Sequence, residues 1–191
     1  FDIPVFATPG TWAAMEEITG DIPFRNKRFV YSGENCIIND ICVKPFAVPH
    51  DAAEPVAYSV FCDNVKITIA TDMGHVTDEA KKNMSESDIL LIEANHDVEM
   101  LKKGPYPRIL KERILGEKGH ISNCEAGKVL SEITDSRLKY IYLGHLSAEN
   151  NEPHLAYGTV REILEKSRIF LGKSLNMDMA VRYSNSKEIV L

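Results

Sequence analysis

Side chains able to bind a metal follow three apolar runs of this sequence, at the point where each run ends. His50 follows FAVP, Asp72 follows ITIAT, and His145 follows YIYLG. Imidazole nitrogens bind Zn²⁺ or Mn²⁺ as single donors, and a carboxylate bridges two cations through its two oxygens. A bridged pair of metals lowers the pKa of the water between the cations and holds both oxygens of an in-line displacement. These residue types therefore suit hydrolysis of a phosphodiester or of a strained ester.

A fourth apolar run, ILLIE, ends in a denser set of polar residues: Glu93, Asn95, His96 and Asp97. Strand ends at one edge of a layered sheet are where an α/β fold collects its site. Each residue alone also has a structural interpretation, because a single histidine at a strand end more often makes a local hydrogen bond. Asp72 in T-D-M-G suits a turn, and His75 beyond Gly74 has the weakest claim. Their repeated position after apolar runs is what favours a metal site.

The elements that must position these residues change character along the chain. IPVFA predicts a strand, and Thr8-Pro9 predicts the cap and first turn of a helix through TWAAMEEI. Residues rich in β-branched and aromatic side chains then predict strands at 28–32, 35–38, 41–48, 56–62 and 65–71, with a hairpin turn at Asp63-Asn64.

Beyond this β-rich region, strands alternate with helices. We expect strands at 89–93 and 139–145 and two closing strands around 179–191. We expect one helix at about 106–115, a second that begins at the capping box at Ser122, and a third at 153–166. Antiparallel strands followed by strand–helix alternation predict an α/β (α+β) fold with layers of sheet and helices outside. We expect one domain over residues 1–191.

Composition and charge narrow the classes of function. The 191 residues carry a net charge of −6, which argues against indiscriminate nucleic-acid binding. Residues 102–120 nevertheless hold six Lys/Arg against two Glu, so this segment is either a solvated helix face or a patch that faces phosphates. No apolar run approaches the ~18–20 residues that span a bilayer. The four cysteines show no C-x-x-C pair, which predicts reduced core thiols in a soluble, cytoplasmic protein.

Several longer motifs resemble one known family. FAVPHDAAEP, ATDMGHVTD, IEANHDVEML and LGHLSAENN are similar, in this order, to successive motifs of the metallo-β-lactamase superfamily. TWAAM near the start and YPRILKERILGEKGHISN in the middle resemble more narrowly its YycJ/WalJ-like branch of bacterial cytosolic hydrolases. The similarity covers nearly the whole chain.

The resemblance implies an αββα sandwich with two divalent metal ions, Zn or Mn, at one edge. His50 and His145 would each bind one cation and Asp72 would bridge them. By similarity to ribonuclease Z relatives, Glu93 and His120 would assist catalysis, although IEANHD and GHISN depart from those patterns. Asn95, His96 and Asn150 would line the pocket, and Lys102, Lys103 and Lys111 would contact flanking phosphates of the substrate.

One superfamily motif, H-x-H-x-D-H, does not occur in these 191 residues. In the family it lies just upstream of a strand and helix like IPVFATPGTWAAM, so we expect the chain to be truncated at its N-terminus. Two ligands would then remain for each cation, fewer than the three or four of tight sites. We therefore expect weak or absent metal binding and no catalysis by this chain alone, and an exposed sheet edge that favours a homodimer.

The resemblance implies, for the complete protein, a DNA exonuclease in which a metal-bound hydroxide attacks phosphorus. Two alternatives stay open. The first is a small-molecule phosphodiesterase or thioester/lactone hydrolase on the same fold. The second is a non-catalytic binding module, in which the strand-end histidines and aspartate are structural.

Overall fold

The computed structural model describes residues 2–20 and 22–189. These residues form strands β1 (Val5–Ala7), β2 (Lys27–Phe29), β3 (Cys36–Ile38), β4 (Ile41–Ala47), β5 (Val56–Cys62), β6 (Val65–Ala70), β7 (Ile89–Glu93), β8 (Tyr140–Gly144) and β9 (Asn176–Met179). The α-helices are α1 (Pro9–Thr19), α2 (Asp78–Met84), α3 (Val98–Lys103), α4 (Arg108–Leu115), α5 (Asn123–Ile133) and α6 (Pro153–Lys166).

Strands β3 to β9 form one seven-stranded sheet in chain order. The pairs from β3 to β6 are antiparallel, and β7, β8 and β9 then add in parallel to β6. Because β4 and β6 are both antiparallel to β5, they run in the same direction. The carboxyl ends of β4, β6, β7 and β8 therefore meet at one edge of the sheet, which is the edge that the sequence predicts for the site.

One face of the sheet forms the main core. Leu90, Ile92, Ile141 and Leu143 alternate along β7 and β8 and are fully buried on that face. They belong to the same cluster as buried side chains of α2, α5 and α6. Helix α5 begins at the predicted capping box, in which Ser122 and Glu125 satisfy each other's backbone N–H groups.

A second, smaller sheet pairs β1 and β2 in parallel. Thr8 caps α1 as predicted, and the indole Nε1 of the buried Trp12 donates to Arg28 O at 3.0 Å. The Thr8 hydroxyl also donates to Glu54 O at 3.0 Å. The first helix is therefore attached to the loop that follows His50.

The α/β class and most of the predicted elements are confirmed, including the hairpin at Asp63-Asn64, but the predicted C-terminal end is wrong. Within residues 22–189 one strand, Asn176–Met179, replaces the two expected around 179–191, and residues 190 and 191 lie outside the described part. The segment after Ala180 is polar and turns back, so that Ser186 Oγ accepts from Val181 N.

Three further features differ from the sequence interpretation. Helices α2 and α3 were not predicted, because each is shorter than two full turns of amphipathic pattern. The four cysteines are free, as expected, but none of them is buried, so they are not core thiols. Among the described residues no helix has the length and apolar character needed to cross a bilayer.

Candidate metal centre

Five predicted site residues converge at the carboxyl edge of the sheet: His50, Asp72, Glu93, His120 and His145. Asp72 Oδ1 lies 3.5 Å from His50 Nε2 and 3.6 Å from His145 Nε2. Donor atoms within 4.8 Å of one another occur in two sets, one of His50, Asp72 and His120 and the other of Glu93, His120 and His145. The structure thus adds His120 to the donors that the sequence counted for the His50 side.

The Glu93 carboxylate anchors two of the imidazoles from a fully buried position. Its Oε1 lies 2.7 Å from Nδ1 of His120 and 2.7 Å from Nδ1 of His145, and its Oε2 accepts from Met73 N at 3.0 Å. Burial pushes the pKa of Glu93 upward, but these hydrogen bonds outweigh burial and hold the pKa below its ordinary value. Glu93 is therefore an ionised acceptor at neutral pH.

This ionised acceptor fixes the tautomers of the rings that it contacts. A carboxylate can only accept, so Nδ1 of His120 and of His145 must each carry the hydrogen. His50 follows the same rule, since its Nδ1 lies 3.1 Å from the carbonyl of Gly119. In the neutral rings all three Nε2 atoms then keep a free lone pair, which is the arrangement of metal-binding histidines.

His145 is held especially firmly. Its hydrogen bond to Glu93 raises its pKa, while burial and the nearby positive charge of Arg182 oppose that rise. His145 and Asp72 also share an uncommon backbone, with φ values of 55° and 59° in the left-handed region. Such a conformation costs of the order of 1–3 kcal/mol for a non-glycine residue and tends to occur at functional sites. Asp72 thus lies at a bend of the backbone, in place of the turn that T-D-M-G suggested, and its carboxylate faces the histidines.

The loops that carry these residues pack backbone against backbone. Gly74 N donates to Pro49 O at 2.8 Å, and a β-carbon at Gly74 would collide with the carbonyl of Glu117. A β-carbon at Gly119 would likewise collide with the carbonyl of Ile114. These contacts hold the His50, Asp72 and His120 loops in one fixed arrangement. His75 contacts Glu117 instead and does not join the cluster.

The three polar residues expected to line the pocket lie behind the cluster. Asn95 Nδ2 donates to His145 O at 2.9 Å and so supports the loop of that histidine. His96 is 1% exposed, and burial lowers its pKa. In the described chain neither ring nitrogen of His96 has a hydrogen-bond partner. Asn150 is buried, with its Nδ2 3.4 Å from Ser147 Oγ.

The three expected phosphate-binding lysines lie on the helices α3 and α4. Lys102 and Lys103 each ion-pair with Glu99 at 3.4 Å, and Lys111 Nζ donates to Lys102 O at 2.7 Å. Within the described residues none of these ammonium groups hydrogen-bonds or ion-pairs with the cluster. The lysines, two of them exposed and Lys111 half-buried, therefore form a surface separate from the donors.

One charged pair beside the site is invisible to sequence reasoning. Arg113 of α4 binds both carboxylate oxygens of Asp51, with Nη2 3.0 Å from Oδ1. This hydrogen bond lowers the pKa of Asp51 to about 2. Asp51 Oδ1 also lies 3.5 Å from His50 Nε2. No local pattern links these partners, because they are far apart in the chain.

The donor set fits a divalent metal. The oriented imidazoles of His50 and His145 and the carboxylate of Asp72 are donors that zinc and manganese accept. Glu93 belongs to this arrangement as the group that orients two of the rings, since both of its oxygens already accept hydrogen bonds.

Comparison with known proteins gives the family. No protein-family model matches the chain. The chain is 39% identical to exodeoxyribonuclease YycJ of Bacillus anthracis over 178 residues, which are 93% of this chain and 67% of that protein. This chain belongs to the YycJ/WalJ family. It is also 36% identical to exodeoxyribonuclease WalJ of Streptococcus pneumoniae strain D39 over 90% of this chain and 65% of WalJ.

Solved structures show that this chain has the metallo-β-lactamase fold, as its sequence motifs predict. It superposes on the metallo-β-lactamase fold protein YhfI of Bacillus subtilis with a TM-score of 0.60 and 13% identity, over 93% of this chain and 61% of YhfI. Zn²⁺-bound PqqB of Methylobacterium extorquens gives a TM-score of 0.60 and 16% identity, over 93% and 64%. The chain spans about two thirds of the length of the curated relatives that it matches.

Proposed function

We propose that the protein containing this chain is a metal-dependent hydrolase that cleaves phosphodiester bonds of DNA. The observation that carries the proposal is the set of three imidazoles whose Nδ1–H groups are bound to fixed acceptors, with two Nε2 atoms facing Asp72. The names of the YycJ and WalJ relatives support DNA as the substrate.

Each residue of the cluster has a role in this proposal. His50 and His145 would each hold one cation, and Asp72 would contact both. Two divalent cations bound there would supply a water of lowered pKa and positive charge beside the phosphoryl oxygens. His120 moves a proton at the leaving oxygen through Nε2, because its Nδ1–H is held by Glu93. The Glu93 charge stabilises the imidazolium that gives this proton to the leaving oxygen, so Glu93 acts through His120 as a positioning residue.

The surrounding residues have supporting roles. Asn95, His96 and Asn150 hold the loops beneath the pocket, and Lys102, Lys103 and Lys111 contact phosphates that flank the cleaved bond. Charge reversal of the three lysines is then expected to weaken DNA binding and to flatten its dependence on salt. DNA binding that survives this reversal would contradict that role.

The test of the metal site compares histidines inside and outside the cluster. In the full-length protein, His50→Ala and Asp72→Ala are each expected to abolish stoichiometric Mn or Zn after dialysis and to reduce DNA hydrolysis by at least about 100-fold. His154→Ala, whose side chain is 80% exposed on α6, is the matched control and should leave both unchanged. If wild type did not hydrolyse DNA, and both variants bound DNA as well as wild type, the protein would be a binding module rather than an enzyme.

A substrate panel tests DNA against the small-molecule alternative. The panel contains single- and double-stranded DNA, bis-p-nitrophenyl phosphate and acyl thioesters. A preference for thioesters, or for the small phosphodiester over DNA, would overturn the DNA proposal and leave the metal site in place. Elemental analysis of the 191-residue chain alone tests the expectation of weak metal binding, which near-stoichiometric zinc or manganese would contradict.

A further inference from the structure

A groove opens directly beside the cluster of metal-binding side chains, on the side of His145. Its cavity volume is about 520 Å³, and His145 forms part of its wall. Leu146, Met179 and Val181 supply an apolar lining. Leu146 and Met179 also pack against the main core, so this lining has a fixed position. None of the roles proposed above for the cluster uses this groove.

The outer end of the groove carries a cation and an aromatic ring. Arg182 Nη2 donates to Leu146 O at 2.6 Å, which holds the segment after β9 beside the His145 loop. Tyr183 follows and is 93% exposed. An almost fully exposed aromatic ring next to an apolar groove is available to stack on a flat ligand.

The chemistry of the groove matches one nucleotide. Each base has an apolar π-face that stacks on aromatic side chains, and such a contact tolerates any sequence. A guanidinium at the same place complements the phosphate of that nucleotide. A cavity of this size suits a single small ligand rather than a run of bases. Because His145 borders the groove, a base bound in it lies next to the proposed site of cleavage.

We propose that this groove binds the terminal base of single-stranded DNA, with Tyr183 stacked on the base and Arg182 on its phosphate. The proposal rests on the proposed DNA substrate and names the part of the substrate that the site holds. It explains how an enzyme of this kind can act at a chain end without reading sequence.

The test measures binding rather than turnover. The metal-loaded full-length protein is titrated into fluorescent single-stranded phosphorothioate oligonucleotides, which differ only in an abasic residue at one end, at the other end or in the middle. Wild type is expected to bind about fivefold more weakly when one of the two ends is abasic. A loss of the same size at all three positions, or at none, would overturn the proposal.

Substitution of the ring supplies the second arm. Tyr183→Ala is expected to lose about fivefold on the normal probe and nothing more on the end-abasic probe, because both changes remove the same contact. Tyr183→Phe keeps the ring and should bind like wild type. Phe170→Ala removes another exposed aromatic side chain outside the groove and is the matched control. Arg182→Ala is expected to weaken binding of the normal probe and to reduce the salt slope by about one.

The outcomes separate this inference from the proposed function. If wild type hydrolyses DNA and Tyr183→Ala binds the normal probe as tightly as wild type, the proposed role of the groove is overturned and the nuclease proposal stands. End-specific, Tyr183-dependent binding without any hydrolysis supports the groove and overturns the nuclease proposal. Additive losses for Tyr183→Ala and the abasic end also overturn the groove, because they show that the ring and the base do not touch.

Discussion

Strand β7 has a carboxylate at each end, and the two carboxylates have different partners. Asp88 immediately precedes the strand, and its Oδ2 accepts from Lys66 N at 2.8 Å and from Arg137 Nη2 at 2.8 Å. Glu93 ends the strand and accepts from His120, His145 and the Met73 backbone. Both carboxylates have pKa values below the ordinary range, because their hydrogen bonds outweigh burial.

The difference lies in what the donors keep after binding. A guanidinium is permanently charged and has no lone pair, so Arg137, which also donates to Asn64 O, has no atom that could bind a metal or accept a proton. An imidazole that donates through Nδ1 still has Nε2 available, so His120 and His145 can bind or move another group. Glu93 thus differs from Asp88 in that two of its donors keep a second nitrogen that can bind or move another group.

Glu93→Gln is the largest test of this comparison. The glutamine amide has no charge. Its oxygen can still accept a hydrogen bond, but its NH₂ group can only donate and would face N–H groups that also donate. We expect affinity for Mn²⁺ or Zn²⁺ to fall 10- to 100-fold, as for other residues that orient metal-binding histidines. A competition assay with a metal-sensitive dye measures this, and urea unfolding of the same variant detects any general loss of structure. Unchanged metal affinity would refute the positioning role.

Asp88→Asn tests the other end of the strand. Loss of a charged acceptor for Arg137 is expected to lower the free energy of unfolding by about 1.5–3 kcal/mol, with metal affinity unchanged. Because the folded pKa of Asp88 is lowered, its stabilisation is present above the ordinary aspartate pKa of about 3.9 and is lost as pH falls through the folded value. The difference in free energy of unfolding between wild type and variant, measured with urea, should therefore decrease in acid. A difference that increases in acid would contradict the stabilising role of ionised Asp88.

Arg113→Ala gives the smallest expected effect. The pair with Asp51 is partly exposed, so its loss should leave the free energy of unfolding almost unchanged. Since Asp51 also contacts His50, we expect metal affinity to change by no more than about threefold. Arg108→Ala on the same helix removes an ion pair with Glu112 and is the control. A tenfold loss of metal affinity would place Arg113 among the residues that build the site.

The sequence predicts where strands end better than it predicts which residues pair with the charged side chains. The capping box at Ser122 and the strand that ends in Glu93 depend on neighbouring residues, so local pattern finds them. The meeting of His50, Asp72 and His145 follows from strand direction, which the fold class implies. Metal occupancy and the roles of the individual donors remain predictions.

The interactions that sequence reasoning missed all connect distant segments. The pair of Asp51 with Arg113 and the carbonyl of Gly119 beneath His50 have no local signal. The predicted strands around 179–191 fail because the Val181 backbone N–H donates to Ser186 Oγ rather than to a neighbouring strand. Contacts of this kind are set by how loops pack after the sheet has formed.

The donors of the cluster come from the ends of β4, β6, β7 and β8 and from the loop before α5, so they are spread from His50 to His145 along the chain. Such a site cannot exist in a partly formed sheet, because every one of these strands must already be in register. Metal cannot nucleate folding here as it does in a zinc finger, whose ligands lie close together. The cation is expected to arrive last, and its main kinetic effect is then to slow unfolding rather than to speed folding.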